Sequence, residues 1–341
     1  MSLNFDKKFD SFEQYLKETA PVLQNYLLQN LDNVISTFEA DKHKDVNKYL
    51  YDPLRAWTKN IGKLARPLTF LATYLAANCG DASQIDEVLP IACAIENFQT
   101  AALIHDDIAD GGQLRRGKPC MYIEEGEGVA INAGDFGLAS TVGGVVEALR
   151  QSKFSKTEIL YIVRQLIFME YMTIEGQAMD LGWARDGRFD ISEDDYICMA
   201  TKKSAYYSVA MPCVLGAYCA DAPEELCLAL KSFGEKLGVA FQIQDDLLNL
   251  IANENSESVK DFRNDITEAK RTLVVVKALE LSKDSDKLTQ ILKKNTSDEA
   301  ELEEAVQIMI ECGAIDYAKD KAKTLSDEAK NILDDALPSS Q

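Results

Sequence analysis

Only two histidines, His43 and His105, occur in the chain, and none of its eight cysteines falls in a CxxC pair. That supply of ligands excludes a histidine-based or paired-cysteine zinc site. The cysteines, Cys79, Cys93, Cys120 and Cys312 among them, sit mostly in apolar runs, as free thiols of a reducing compartment do. Basic residues are also short: 36 Lys and Arg face 56 Asp and Glu, for a net charge of −20. Nucleic-acid phosphates and anionic membranes need a basic face, so neither is an expected partner. Met1 to Asp10 contains no apolar signal region. The longest uncharged stretch, Ser204 to Ala220, contains Pro212 and falls short of the ~20 apolar residues that span a bilayer. It is expected to be a buried core helix. No Pro/Gly/Ser-rich linker divides the 341 residues. The expectation is one soluble, cytoplasmic domain over residues 1–341, with no stable membrane insertion.

Strand signals are equally scarce, since no run alternates apolar and polar residues convincingly. Helix starts recur instead. Ser155 with Glu158 and Thr296 with Glu299 match the capping box, and Ser192 with Asp195 gives its Ser-x-x-Asp form. Cys120 to Met211 contains no proline, which suits long helices. Glycines at Gly111, Gly112, Gly117, Gly126 and Gly128 mark one long loop, and polar Ala252 to Val259 marks another. The fold class is all-α.

Two segments carry chemistry. Between Ile91 and His105 only Glu96 is charged, yet the segment ends in Asp106, Asp107 and Asp110. Asp106 and Asp110 are one turn apart on the same helical face, with Gln99 on that stripe. In Leu237 to Leu250, the polar residues Gln242, Asp245, Asp246 and Asn249 form a second stripe, backed by Val239, Ile243, Leu247 and Leu250. Acids are abundant, so an Asp-Asp pair can arise by chance. These two lie in otherwise uncharged helices, where neighbouring carboxylates repel and lose hydration. Hard oxygen ligands on helices suit Mg²⁺, which keeps waters and bridges to substrate phosphates. Two such sites could clamp one diphosphate. Arg115, Arg116 and Lys118 follow the first pair, and Lys63, Arg66, Lys203, Lys260 and Lys270 stand beside apolar or Gly-containing stretches. Arginine forks match phosphate oxygens. Metal-binding acids with phosphate-binding cations imply diphosphate chemistry.

At these residues the sequence resembles the trans-isoprenyl diphosphate synthase family over most of its length. Gly62-Lys63-Leu64-Ala65-Arg66-Pro67 is similar to the family's GKxxRP block. Glu96 to Gln99, Asp106 to Asp110, and Arg115-Arg116-Gly117 follow with the family's offsets. Ala130 to Asp135, Gly176 to Asp180, Lys203 to Ser208, Phe241 to Asp246, and Lys260 to Lys270 with Asp265 resemble further blocks in the right order. The resemblance implies a cavity-forming helix bundle that is usually a homodimer, with three Mg²⁺ ions per active site. It implies that Asp106, Asp107, Asp110, Asp245 and Asp246 reach the metal directly or through water, with Asp180 supporting metal-bound waters. Arg115, Lys203, Ser204, Gln242, Lys260 and Lys270 would hold the allylic diphosphate. Lys63, Arg66, Gln99 and Arg116 would hold isopentenyl diphosphate.

Three departures stand out. Leu64 replaces a common arginine, Asn249 replaces the last aspartate of the second motif, and the sequence stops at Ala336 to Gln341, where many members add a helix. An amide at Asn249 can still hydrogen-bond a metal-bound water. The expected product has twenty to twenty-five carbons, because Ala101 and Ala102 leave open the wall one turn below Asp106, while Phe98 could form a deeper floor. Farnesyl or longer-chain synthesis is the alternative. A terpene cyclase would not need Lys63, Arg66, Gln99 and Arg116. A regulatory subunit should have lost metal ligands. An acidic helical interaction protein would bind no diphosphate.

Overall fold

The computed structural model describes residues 12–38, 43–60, 62–251 and 263–337. In chain order its helices are α1 (Phe12–Phe38), α2 (Lys44–Val46), α3 (Asp52–Lys59), α4 (Ala65–Ala77), α5 (Ile85–Asp110), α6 (Met121–Glu124), α7 (Glu127–Leu149) and α8 (Lys156–Arg185). They continue as α9 (Glu193–Ala200), α10 (Met211–Cys219), α11 (Glu224–Ile251), α12 (Asn264–Thr267), α13 (Leu273–Leu281), α14 (Ser285–Lys293), α15 (Glu299–Glu311) and α16 (Ala314–Ala336). Two segments wind wider, as π-helices: π1 (Asn47–Tyr51) and π2 (Thr201–Ala210). The expected glycine loop is folded more than its composition suggested. It holds α6 and an antiparallel pair, β1 (Leu114–Arg115) and β2 (Lys118–Pro119), the one strand pair among the described residues. Arg116 and Gly117 turn between them with φ of 55° and 75°, as a tight two-residue hairpin turn requires. The loop expected at Ala252 to Val259 lies outside the described residues.

The chain forms two compact units: Met1–Glu170 with Met211–Leu228, and Tyr171–Ala210 with Ala229–Gln341. In the first, α5 buries every residue from Ile91 to Gln99. Its neighbour α7 comes close because it is built of small residues. A Cβ at Gly137 would lie 2.8 Å from the Ala101 Cβ, and one at Gly144 would lie 2.7 Å from Val34 on α1. Helix α10 approaches α4 in the same way, where a Cβ at Gly216 would stand 2.5 Å from the Phe70 carbonyl oxygen. Both α5 and α7 are long and apolar enough to cross a membrane by length and composition, but 78% of the apolar window of α5 is buried, against 44% for α7. The uncharged stretch from Ser204 becomes the end of π2 followed by buried α10. Pro212 cannot donate to the preceding turn and its ring crowds the carbonyl four residues back, which suits a widened segment before it.

The second unit gathers Trp183, Tyr196, Ile243, Leu247, Leu273, Val275 and Met309 into one core. The Ser192 box forms: Asp195 N donates to Ser192 Oγ at 3.1 Å, and Ser192 N donates to Asp195 Oδ2 at 2.9 Å. The Ser155 box of the first unit forms as well. The Thr296 box does not. Asp298 caps α15 instead, accepting from Ala300 N and Glu301 N at 3.0 and 3.1 Å, because its carboxylate is the stronger acceptor for two orphan amides.

Glu193, in the first turn of α9, accepts hydrogen bonds from Tyr317 (2.6 Å), and ion-pairs with Lys277 (2.9 Å) and Lys321 (2.7 Å). Burial opposes the charge, but those three donors hold the carboxyl down at about 2, from an ordinary 4.5. Its contribution to stability is complete above pH 4.5 and is lost as pH falls through about 2. Glu193→Gln is expected to cost about 2–3 kcal/mol at pH 7. Thermal unfolding of both proteins should show that gap closing between pH 5 and pH 2, and a gap that stays constant with pH would contradict this account.

Candidate active site

Helix α5 ends at Gly111, whose φ of 66° lets its N–H turn back to the Asp107 and Ile108 carbonyls. This stop places Asp106, Asp107 and Asp110 on the last turn, with different exposure. Asp107 is buried, Asp106 and Asp110 partly so. Arg115 Nε donates to Asp107 Oδ1 at 2.8 Å, Arg115 Nη2 contacts the same oxygen, and Arg115 Nη2 lies 3.6 Å from Asp106 Oδ2. Burial pushes the Asp107 carboxyl up against the pull of Arg115, and Asp107 Oδ2 is buried without a hydrogen-bond partner. The β1–β2 hairpin thus delivers Arg115 back to the acidic pair.

The adjacent Arg116 points elsewhere. Its Nη1 donates to the Asn60 carbonyl at 2.6 Å, and its guanidinium lies against Gly62, where a Cβ would come within 3.1 Å of Nη2. Lys63 is exposed, and Leu64 is buried with φ of 54° at the start of α4. At Leu64 a buried apolar anchor therefore stands where an arginine is common. Arg66 Nη1 lies 3.9 Å from Glu96 Oε2, deep in α5. Burial pushes the Glu96 carboxyl up, opposed by Arg66 and Arg116. Gln99 Oε1, one turn on, is buried without a hydrogen-bond partner. The structure thus brings Arg66 to the Glu96 carboxylate and Arg116 to the Asn60 carbonyl and Gly62, and Gln99 follows Glu96 one turn along the same helix.

One anchor was not legible in the motifs. His105 Nε2 lies 3.2 Å from the Ile131 carbonyl oxygen and 3.4 Å from Asp135 Oδ1. A Cβ at Gly134 would come within 2.3 Å of that nitrogen. The Ala130 to Asp135 block is therefore the seat on α7 for the residue just before the first aspartate.

In the second unit, Lys203 Nζ lies 2.5 Å and Lys270 Nζ 3.4 Å from Asp180 Oδ2, and Lys270 also meets Glu268 at 3.3 Å. Asp180 is 5% exposed, so it gathers two cations. Lys203 and half-buried Ser204 ride on π2. Asp245 is exposed on α11, but Asp246 is buried: Tyr196 Oη donates to its Oδ2 at 2.7 Å and Gln242 Nε2 to its Oδ1 at 2.8 Å. Burial lifts the Asp246 carboxyl to about 6. Gln242, expected at the diphosphate, is hydrogen-bonded to Asp246. Asn249 Oδ1 accepts from Asp265 N at 3.2 Å and so secures the turn into α12. Lys260 lies outside the described residues.

Arg271 is a second anchor that motif reading missed. It is 2% exposed, donates to the Arg188 and Ala269 carbonyls, and stacks on Phe189 at 4.0 Å. It fixes the loop that presents Lys270, and no sequence signal separates it from a solvated cation.

Among the described residues no three His, Cys, Asp or Glu side chains gather into a metal cage. Open, oxygen-only donor sets suit a metal that brings its own waters and a bridging phosphate.

The profile of the Polyprenyl synthetase family matches residues 47–309. A short chain isoprenyl diphosphate synthase of Methanocaldococcus jannaschii is 34% identical over 86% of this chain and 84% of its own length. A geranylfarnesyl diphosphate synthase of Aeropyrum pernix is 30% identical over 80% and 83%. A crystal structure of geranylgeranyl pyrophosphate synthase from Corynebacterium glutamicum, complexed with isoprenyl diphosphate and magnesium, superposes with a TM-score of 0.82 at 28% identity, covering 92% of each chain. The fold is the all-α isoprenoid-synthase fold, and the chain is a prenyltransferase belonging to the polyprenyl synthetase family.

Proposed function

We propose that this protein condenses isopentenyl diphosphate with an allylic diphosphate to give a trans-prenyl diphosphate of twenty to twenty-five carbons. The observation that carries the reading is the matching of acids with phosphate-binding cations: Arg115 against Asp106 and Asp107, and Lys203 with Lys270 around Asp180. Mg²⁺ fits the donors, since Asp107 Oδ2 is buried without a partner and every candidate ligand is a hard oxygen. Asp106 and Asp110 would hold it on α5, with Asp107 behind them, and Asp245 would do so on α11, with Asp246 behind it. When bound, it supplies positive charge to the departing diphosphate. Arg115, Lys203 and Lys270 would take up the oxygens of the allylic diphosphate. Lys63, Arg66, Gln99 and Arg116 would hold isopentenyl diphosphate. The allylic C–O bond breaks and its electron pair leaves with the diphosphate. The double bond of isopentenyl diphosphate forms the new C–C bond, and a proton passes to the departed diphosphate. The same reading makes the protein a homodimer: Leu160, Phe168, Tyr171 and Ile174 stand exposed along α8, Ile131 and Val146 along α7, and such apolar faces are the kind a second copy covers.

Product length tests the reading. Phe98 and Ala101 are fully buried, and Ala101 faces Gly137, whereas Ala102 is half-buried. The two alanines therefore stand in different surroundings: α7 closes over Ala101, while Ala102 keeps part of its surface open. With isopentenyl diphosphate and a set of allylic primers, chromatography of the dephosphorylated products should show twenty or twenty-five carbons. Ala102→Phe is expected to shorten them to roughly fifteen, since one ring fills about one isoprene volume. Ala101→Phe would drive α5 from α7 and cost about 1–3 kcal/mol. A wild-type product that stops at fifteen carbons would refute the chain-length assignment.

A further inference from the structure

We propose that Tyr196 is a positioning residue of the second acidic pair: its phenol locks Asp246 in place, so that Asp245 alone presents a carboxylate to metal and diphosphate. The inference deepens the proposed function and rests on it.

Three observations carry it. The pair is divided by environment, because Asp245 is exposed while Asp246 is 7% exposed, and both Asp246 oxygens already accept hydrogen bonds. Both donors are neutral. A lysine in either place would orient the carboxylate but cancel its charge and compete with a metal ion. A phenol and an amide orient it and leave the negative field in place for a cation bound next door. Finally, Tyr196 has no freedom to follow Asp246. Its side chain is 1% exposed, it lies one turn into α9, and that turn is fixed by the Ser192 box and by Glu193 with its three partners on α13 and α16. The chain of contact runs from α13 and α16 through α9 to the aspartate that sits beside Asp245.

Tyr196→Phe tests this, since the ring still fills the core and only the hydroxyl is lost. Outer-shell partners of metal ligands typically matter about 10–100-fold. The Mg²⁺ concentration for half-maximal turnover should rise about tenfold or more. Calorimetric binding of inorganic pyrophosphate in the presence of Mg²⁺ should weaken in parallel, while the KM for isopentenyl diphosphate stays within about twofold. In an Asp245→Asn background the same change should add no further loss of Mg²⁺-dependent pyrophosphate binding, because the two act through one site. An unchanged Mg²⁺ dependence with only a lower melting temperature would make Tyr196 a core residue and overturn the assignment. A wild-type protein that forms no prenyl diphosphate from any primer would instead remove the functional reading itself.

Discussion

Replacing Asp106 or Asp245 with alanine is expected to lower turnover at saturating Mg²⁺ at least about a thousandfold, while the helices stay folded. The magnitude follows from the charge these groups manage: losing one preorganised element of charge stabilisation costs about 4 kcal/mol, and each 1.36 kcal/mol is tenfold in rate. The preserved fold follows from burial. Asp245 is exposed and the Asp106 side chain is 21% exposed, so neither fills the core. Each also repels its neighbour, Asp106 against Asp107 and Asp245 against Asp246, adding to the upward push on the buried member. Removing the accessible member relieves that repulsion, and Arg115 keeps Asp107 as a partner at 2.8 Å. Melting temperatures equal to or above wild type should therefore accompany the loss of activity. Single-turnover kinetics beside calorimetry decide the matter, and turnover within tenfold of wild type in either variant would remove the acidic pairs from the chemistry.

Gly176→Ala should cost at least about a hundredfold in kcat/KM, through a residue that touches no substrate. A Cβ at Gly176 would stand 2.2 Å from Lys203 N and 2.6 Å from Lys203 Cα. These are backbone atoms and cannot swing aside, so π2 must move. Asp180 lies one turn further along the same face of α8 and holds the Lys203 ammonium at 2.5 Å. The methyl group would therefore push the lysine off its partner, and a displacement of about 1 Å can cost 10²-fold. Crowding of this kind also lowers stability by about 1–3 kcal/mol. Gly182, on the same helix, provides the control, since a Cβ there would meet nothing within 4 Å. Gly182→Ala should leave kcat/KM unchanged and stabilise the helix by about 0.5–1 kcal/mol. Equal behaviour of the two alanines would show that the contact with π2 is irrelevant.

The acidic stripes were legible because helical spacing alone aligns Asp106 with Asp110 and Gln242 with Asp245, Asp246 and Asn249. What spacing cannot show is which carboxylate faces water. Tyr196 is 50 residues from Asp246 and reaches it only through tertiary packing, so the unequal roles of the aspartates in each pair stayed hidden. The family resemblance implies Gln242 as a ligand of the allylic diphosphate, yet its amide donates to Asp246, one turn away, at 2.8 Å. Arg271 has the look of any surface cation until the carbonyls of Arg188 and Ala269 close around it. Ala101 and Ala102 are alike in sequence and differ only because α7 carries Gly137 opposite one of them. The widened turn of π2 is invisible for a simpler reason: its residues are ordinary helix formers, and the extra width is imposed by Pro212 and by the glycines that grip it. Gly234 and Gly238 approach Ala210 and Ala205 so closely that a Cβ on either would fall within 2.4 to 2.5 Å of backbone.

The wide segment also sets how insertions and deletions are tolerated. A π-helical stretch spends one residue more on each hydrogen-bonded turn than an α-helix does, and it ends where α10 begins. Removing one residue from Thr201–Ala210 would let one such turn tighten to an α-turn, so the residues that follow keep their register. Adding a residue leaves no such slack and asks π2 to bulge further against Gly234 and Gly238, where a Cβ would already fall within 2.4 to 2.5 Å of the Ala210 and Ala205 backbone. Substitutions at half-buried positions such as Lys202 or Val209 are therefore expected to be survivable, and a one-residue deletion within π2 is expected to be tolerated better than a one-residue insertion.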